Sequence, residues 1–267
     1  MHIQLQPIEW FRSAKNTFWV GYPTSCKLYN IRLKGDRSVV IIQNKIQAFI
    51  FDMDGTLVDN ADFHTQAWLV LLNGIGIEID AGELHRQNAG KTNAETLRLI
   101  LGDRISAAEM QTLARCKEDL YREAYRPHIH AIPGLSPFLD QARAAGIRMA
   151  VASSADQQNI ALVLDGLGIR DYFAVVVGVG DIQNSKPHPE MFLAAARRLG
   201  IPPQSCLVFE DSPAGIEASR RAGMRTVVIT TFLDPHELHG QANILQAVPD
   251  FAHLEVRQLI DVRDDGE

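Results

Sequence analysis

The stretch IQAFIFDMDGTLVDN, residues 46–60, decides the fold. Its first six residues form a short apolar run that stops at Asp52. That is the pattern of a strand buried in a parallel sheet. Two carboxylates, Asp52 and Asp54, therefore stand at the strand's carboxyl end, followed by Gly55 and Thr56. Beyond them, no strand-like run occurs between residues 61 and 130. Phe63, Trp68, Leu71 and Leu72 recur near helical spacing over 62–74, and 93–101 and 106–126 also predict helices. Pro133-Gly134 then breaks the chain. After the break, helices are predicted at 135–145, 156–165, 189–199 and 213–222. They alternate with strands at 147–153, 173–178, 206–210 and 225–230. Such alternation implies βαβ units and a parallel sheet covered on both faces. The expectation is an α/β, doubly wound core with an all-helical second domain inserted after the first strand.

In the other direction, residues 1–46 carry four Lys and three Arg against Glu9 and Asp36, with no sustained apolar period. A basic, loosely ordered extension is expected there. The rest of the 267-residue chain is acidic enough to bring the formal net charge to −6. This argues against a nucleic-acid binder that works through bulk charge. At 46% hydrophobic and 22% charged residues, the composition fits a globular protein rather than a disordered or fibrous one. No apolar run reaches the roughly 18 residues of a membrane span, and residues 1–18 lack a secretory pattern. Cys26, Cys116 and Cys206 are too scattered for a disulfide framework or a zinc motif. A cytoplasmic protein, monomeric by default, is the resulting expectation.

Ligands of open parallel sheets bind beyond the carboxyl ends of the strands. The predicted strands deliver Asp52 and Asp54, Ser153-Ser154, and Glu210-Asp211 to that edge, with Lys186 near the third strand. Clustered buried acids repel one another and call for a cation. The chemistry fits phosphoryl transfer through a covalent aspartate. Asp52 would attack, and Asp54 would protonate the leaving oxygen and then deprotonate water. Mg²⁺ prefers oxygen ligands, which Asp52, Asp211, Glu210 and the backbone carbonyl of Asp54 would supply. Ser153 and the amides after Ser154 would cradle the phosphate, and Lys186 would add positive charge.

The strings FDMDGTLVDN, VASSA, KPHPE and VFEDSPAGIEA resemble, in order, the four motifs of the haloacid dehalogenase superfamily. The helical insertion is similar to the subgroup of β-phosphoglucomutase and its sugar-phosphate phosphatase relatives. The resemblance implies a Rossmann-like core (47–60 plus 134–267) and a helical cap domain (61–133) that closes over the substrate. It also implies that Asp52 is nucleophile and Asp54 acid/base, that Ser153 and Lys186 bind phosphate, and that Asp211 with Glu210 serves Mg²⁺. In the cap it points to His64 and to the loop holding Gly90 and Lys91.

The same resemblance marks two departures. The lysine expected before Gly90 is Ala89, and the arginine expected to grip a second phosphate is Asn93. After Ser153, where the mutases supply a serine and a lysine for that phosphate, this chain reads Ser154-Ala155-Asp156-Gln157. The expected activity is therefore Mg²⁺-dependent hydrolysis of a small phosphate monoester, of the sugar-phosphate kind. A phosphosugar mutase is the alternative, and a non-catalytic binding module with a basic arm is the reading from a different class.

Overall fold

A computed structural model of the chain describes residues 26–32, 38–88, 92–238 and 241–260. Strands β1 (Cys26–Arg32) and β2 (Ser38–Asn44) pair antiparallel, with Cys26 opposite Asn44. The loosely ordered extension expected over 1–46 thus gives way to a hairpin in its second half. Residues 1–25 lie outside the described residues.

Strand β3 (Ala48–Phe51) leads into the cap helices α1 (Ala61–Gly74), α2 (Ala81–Asn88), α3 (Asn93–Leu101) and α4 (Ala107–Tyr125). The chain then runs α5 (Leu135–Ala144), β4 (Arg148–Ala152), α6 (Gln157–Gly166), β5 (Val175–Val177) and α7 (Glu190–Leu199). It ends β6 (Cys206–Glu210), α8 (Pro213–Arg221), β7 (Arg225–Ile229), β8 (Ile244–Val248) and α9 (Val256–Ile260). Six strands form one parallel sheet in the order β5-β4-β3-β6-β7-β8. β3 lies between β4 and β6, and its four residues are all buried. The chain winds outward on one side through β4 and β5, then returns to β6 and winds outward on the other. That reversal beside β3 opens a ligand crevice at its carboxyl end.

Side chains of β3 alternate between two unlike faces. Phe49 and Phe51 join Phe138, Phe209 and Phe251 in an aromatic layer under α5, α6 and α9. Phe51 stacks on Phe209 with ring centroids 4.6 Å apart, and Phe49 on Phe138 at 5.7 Å. Ala48 and Ile50 face the other way, with Ala150, Ala152 and Val208, against Met191, Phe192 and Ala195 of α7. The cap has a core of its own in Trp68, Leu71, Leu72, Leu84, Leu97 and Leu101. Its helices start at clear signals, since Thr92 with Glu95 and Ser106 with Glu109 form capping boxes at α3 and α4. The two chain segments that enter and leave the cap meet. Val58 bridges antiparallel to Ala131, and the Ile132 amide donates to Leu57 O at 2.9 Å.

Most predicted elements recur within a residue or two. The strand expected over 173–178 is only three residues long, because Phe173 and Ala174 follow a short 3₁₀ turn at Arg170–Tyr172. α2 is an addition, and so are β8 and α9, which lie beyond the last element predicted from the sequence. Among the described residues, no helix is long and apolar enough to cross a membrane. The aromatic layer carries the sheet. Phe138→Ala, at a site 1% exposed, is expected to cost about 3–5 kcal/mol of stability in urea denaturation.

Candidate active site

The Asp52 amide donates to Phe209 O at 2.9 Å, so the β3–β6 ladder continues up to this carboxylate. The chain then turns sharply. The Leu57 amide donates to Met53 O at 2.8 Å, and Gly55 sits at φ 83°. A Cβ on Gly55 would lie 2.2 Å from Asp211 Oδ2, so only glycine lets this turn approach the end of β6. Thr56 Oγ1 donates to Asp211 Oδ1 at 2.9 Å, tying the two strand ends together.

Lys186 stands between two acids. Its Nζ donates to Asp52 Oδ1 at 2.5 Å and to Glu210 Oε1 at 2.7 Å. The other Glu210 oxygen accepts from the amides of Asp211 at 2.7 Å and Ser212 at 2.6 Å. A Cβ on Gly215 of α8 would lie 1.7 Å from Glu210 Oε1, so this glycine makes room for the carboxylate. Ser153, fully buried, continues β4. Its amide donates to Val177 O at 3.0 Å, and its Oγ accepts from the Ala155 amide at 3.1 Å. Ser154 is exposed beside it.

Asp52, Glu210 and Asp211 each present a carboxylate oxygen, all within 4.8 Å of one another. Burial, relieved in part by Lys186 but reinforced by Glu210 and Asp54, raises the Asp52 carboxyl to about 7. Burial together with Glu210 and Asp52 also pushes Asp211 well above the usual carboxylate range. Lys186 rises despite its burial, because Asp52 and Glu210 hold its proton. One lysine thus faces three crowded acids whose donors are all oxygen. That donor set suits a hard divalent cation such as Mg²⁺.

Asp54 turns toward the cap. Asn60 Nδ2 donates to Asp54 Oδ1 at 2.6 Å and to the Tyr121 hydroxyl oxygen at 2.7 Å. Burial raises the Asp54 carboxyl to about 6, even though the Asn60 bond lowers it. His64 lies flat on Tyr121, with ring centroids 3.8 Å apart. Its Nε2 is 4.0 Å from Asp54 Oδ1. Burial first, and then Lys117, depress the imidazole to about 3, so the ring is neutral. Lys117 Nζ donates to His64 Nδ1 at 2.7 Å, which leaves the ring proton on the nitrogen facing Asp54.

The structure therefore brings Asp52, Asp54, Ser153, Lys186, Glu210, Asp211 and His64 around one strand edge. Gly90 and Lys91 lie outside the described residues. Asn60, Thr56, Lys117 and Tyr121 join the site without having been predicted. Lys117 is 2% exposed. In the sequence it reads as one more charge on a polar helix. Its only signal is the Tyr121–Tyr125 pair that follows at helical spacing on the same face.

A family model described as "haloacid dehalogenase-like hydrolase" matches residues 46–223. The chain belongs to the haloacid dehalogenase-like hydrolases. Among curated members of this family, the chain is 32% identical over 193 residues to protein CbbY of Rhodobacter capsulatus, covering 69% of the chain and 85% of that protein. It is 32% identical over 180 residues to the fructose-1-phosphate phosphatase YqaB of Escherichia coli, covering 67% and 93%. Among solved structures, β-phosphoglucomutase of Clostridium difficile superimposes with a TM-score of 0.71 at 32% identity, covering 80% of this chain and 95% of that one.

The crowded acids are expected to make the stability of the cation-free protein depend on pH. A carboxyl whose folded pKa is raised favours the folded state while protonated. Its contribution is lost as pH climbs from the unfolded value near 3.8 to the folded value of about 7. In chelator, the Tm is expected to fall between pH 5 and pH 8. Added Mg²⁺ is expected to raise it more at pH 8 than at pH 5, as thermal melts at both values will show.

Proposed function

We propose that this chain is a Mg²⁺-dependent phosphatase that hydrolyses a small, sugar-phosphate-like monoester through an aspartyl-phosphate on Asp52. The observation that carries this reading is the paired arrangement of two acids. Asp52 is fixed at a strand end between Lys186 and the Glu210-Asp211 oxygens. Asp54, two residues on, faces the cap with its carboxyl raised to about 6. The named phosphatase among the relatives gives the same direction.

In the first step an Asp52 oxygen attacks phosphorus, and the bond from phosphorus to the ester oxygen breaks. Asp54 delivers its proton to the departing alkoxide. In the second step the ionised Asp54 takes a proton from water, the resulting oxygen attacks phosphorus, and the Asp52–phosphorus bond breaks. Inorganic phosphate leaves, and both carboxyl groups return to their starting states. Lys186 balances the charge that develops on the phosphoryl oxygens, and Ser153 and the amides beyond Ser154 hold those oxygens in line. Asp52, Glu210, Asp211 and the Asp54 carbonyl would hold Mg²⁺, which supplies charge neutralisation on the phosphoryl group when bound. His64, neutral and braced by Lys117, keeps a donor near Asp54. The cap, closing over the crevice, excludes water until the leaving group has gone.

The likeness to β-phosphoglucomutase favours a second reading, a phosphosugar mutase. Assay of β-glucose 1-phosphate primed with glucose 1,6-bisphosphate separates the two. Phosphate release without glucose 6-phosphate is expected, and the isomer without phosphate would reverse the assignment. Asp52→Asn is expected to abolish phosphate release, as is excess chelator. Asp54→Asn is expected to lower kcat by about 10²–10⁴ with little change in KM. A variant that only raises KM would exclude the acid/base role.

A further inference from the structure

The turn that carries Asp54 is held from three directions. Toward the cap, the Gly55 amide donates to Val58 O at 2.7 Å, beside the Val58–Ala131 bridge. Toward β6, Thr56 Oγ1 donates to Asp211 Oδ1 at 2.9 Å. The third hold comes from a loop outside the four motifs. β7 ends at Ile229, and the next amide, of Thr230, donates to Val248 O of β8 at 2.8 Å. The sheet thus fixes the point at which the chain leaves it. One residue on, Thr231 Oγ1 donates to Gly55 O at 2.5 Å, across 176 residues of sequence. Phe232 follows against the same glycine, where a Cβ would lie 2.6 Å from its ring carbon Cε2. Both residues lie beyond 46–223, the stretch matched by the family model.

Gly55 needs such holding. It sits at φ 83°, and without a side chain its backbone has the widest freedom of any residue. The peptide unit before it contains the Asp54 carbonyl, which would join Asp52, Glu210 and Asp211 around Mg²⁺. A peptide unit is planar and trans, so that oxygen points away from the Gly55 N–H and its acceptor Val58. The unit after it contains the Gly55 carbonyl, bonded by Thr231, and the Thr56 amide, which donates to Met53 O at 3.2 Å. Without the Thr231 hydroxyl, a carbonyl of a buried residue loses its donor, which is costly enough to turn the unit toward another one. Turning it about Gly55 moves Thr56, which holds Asp211, relative to Asp54.

We propose that Thr231 is a positioning residue: its hydroxyl, acting through the Gly55 carbonyl, keeps the carbonyl and carboxyl of Asp54 in register with Asp52 and Asp211. The turnover half of this inference rests on the phosphatase reading, whereas the cation-binding half does not.

Thr231→Val removes the hydroxyl and nearly keeps the shape. Phosphate release from fructose 1-phosphate is expected to lose about tenfold in kcat, with KM within about twofold of the wild type. Calorimetric titration of Mg²⁺ alone into the full chain is expected to show binding weakened about tenfold. Thr231→Ser, which restores the donor, is expected to recover most of both losses. A merely structural threonine would lower Tm and leave kcat and Mg²⁺ binding, read well below Tm, unchanged. That result overturns the proposal, as does a serine variant no better than the valine one. Should Thr231→Val fail to fold, Thr231→Ala, which sets no methyl against Gly55 O, must show the same two losses. If the wild type releases no phosphate from fructose 1-phosphate or β-glucose 1-phosphate, the phosphatase reading falls, and the Mg²⁺ titration alone decides for or against Thr231. If the wild type also binds no Mg²⁺, both fall.

Discussion

Three carboxylates and one ammonium share a space at the end of β3 from which water is nearly excluded. Lys186 bonds to Asp52 and Glu210, and Asp211 is left to Thr56. Removing charges from water costs several kcal/mol per ion unless partners replace the hydration. Much of the local architecture supplies those partners. The β6 exit donates two amides to Glu210, Gly215 gives way to the same carboxylate, and Gly55 lets the first turn close on Asp211. The remaining imbalance is negative, and a divalent cation held by Asp52, Glu210 and Asp211 would offset it.

Above that edge the polar logic changes. The cap meets Asp54 with neutral or already paired groups: Asn60, the Tyr121 hydroxyl, and a histidine whose charge burial has removed. Nearby on α4, Lys117 pairs with Glu118, and Arg122 with Asp119 and Asp156.

Much of the core was legible in the sequence because its signals are local. A six-residue apolar run ending in two acids, followed by regular helix–strand alternation, specifies the sheet and brings Asp52, Ser153, Lys186, Glu210 and Asp211 to one edge. The hairpin at 26–44 was not legible, since its flanks show no clean alternation and it contributes nothing to the parallel sheet. Helix α2 was missed because, among its described side chains, Leu84 alone is placed in the cap core. Lys117 and Glu118 were missed for a deeper reason. A buried ion pair and a solvated one have the same spelling on a helix, and only the packing of Trp68, Tyr121 and α6 around them tells the two apart.

The bridge between Val58 and Ala131 has a consequence for how such a protein diversifies. The two ends of the cap insertion touch, so the sheet registers them as a short closed loop regardless of what lies between. Helices in the interval 61–130 can lengthen, shorten or be exchanged whole while the strand that carries Asp52 keeps its register. The inserted helices and the strand that leads to Asp52 are thereby separable parts of one chain, hinged at the Val58–Ala131 bridge.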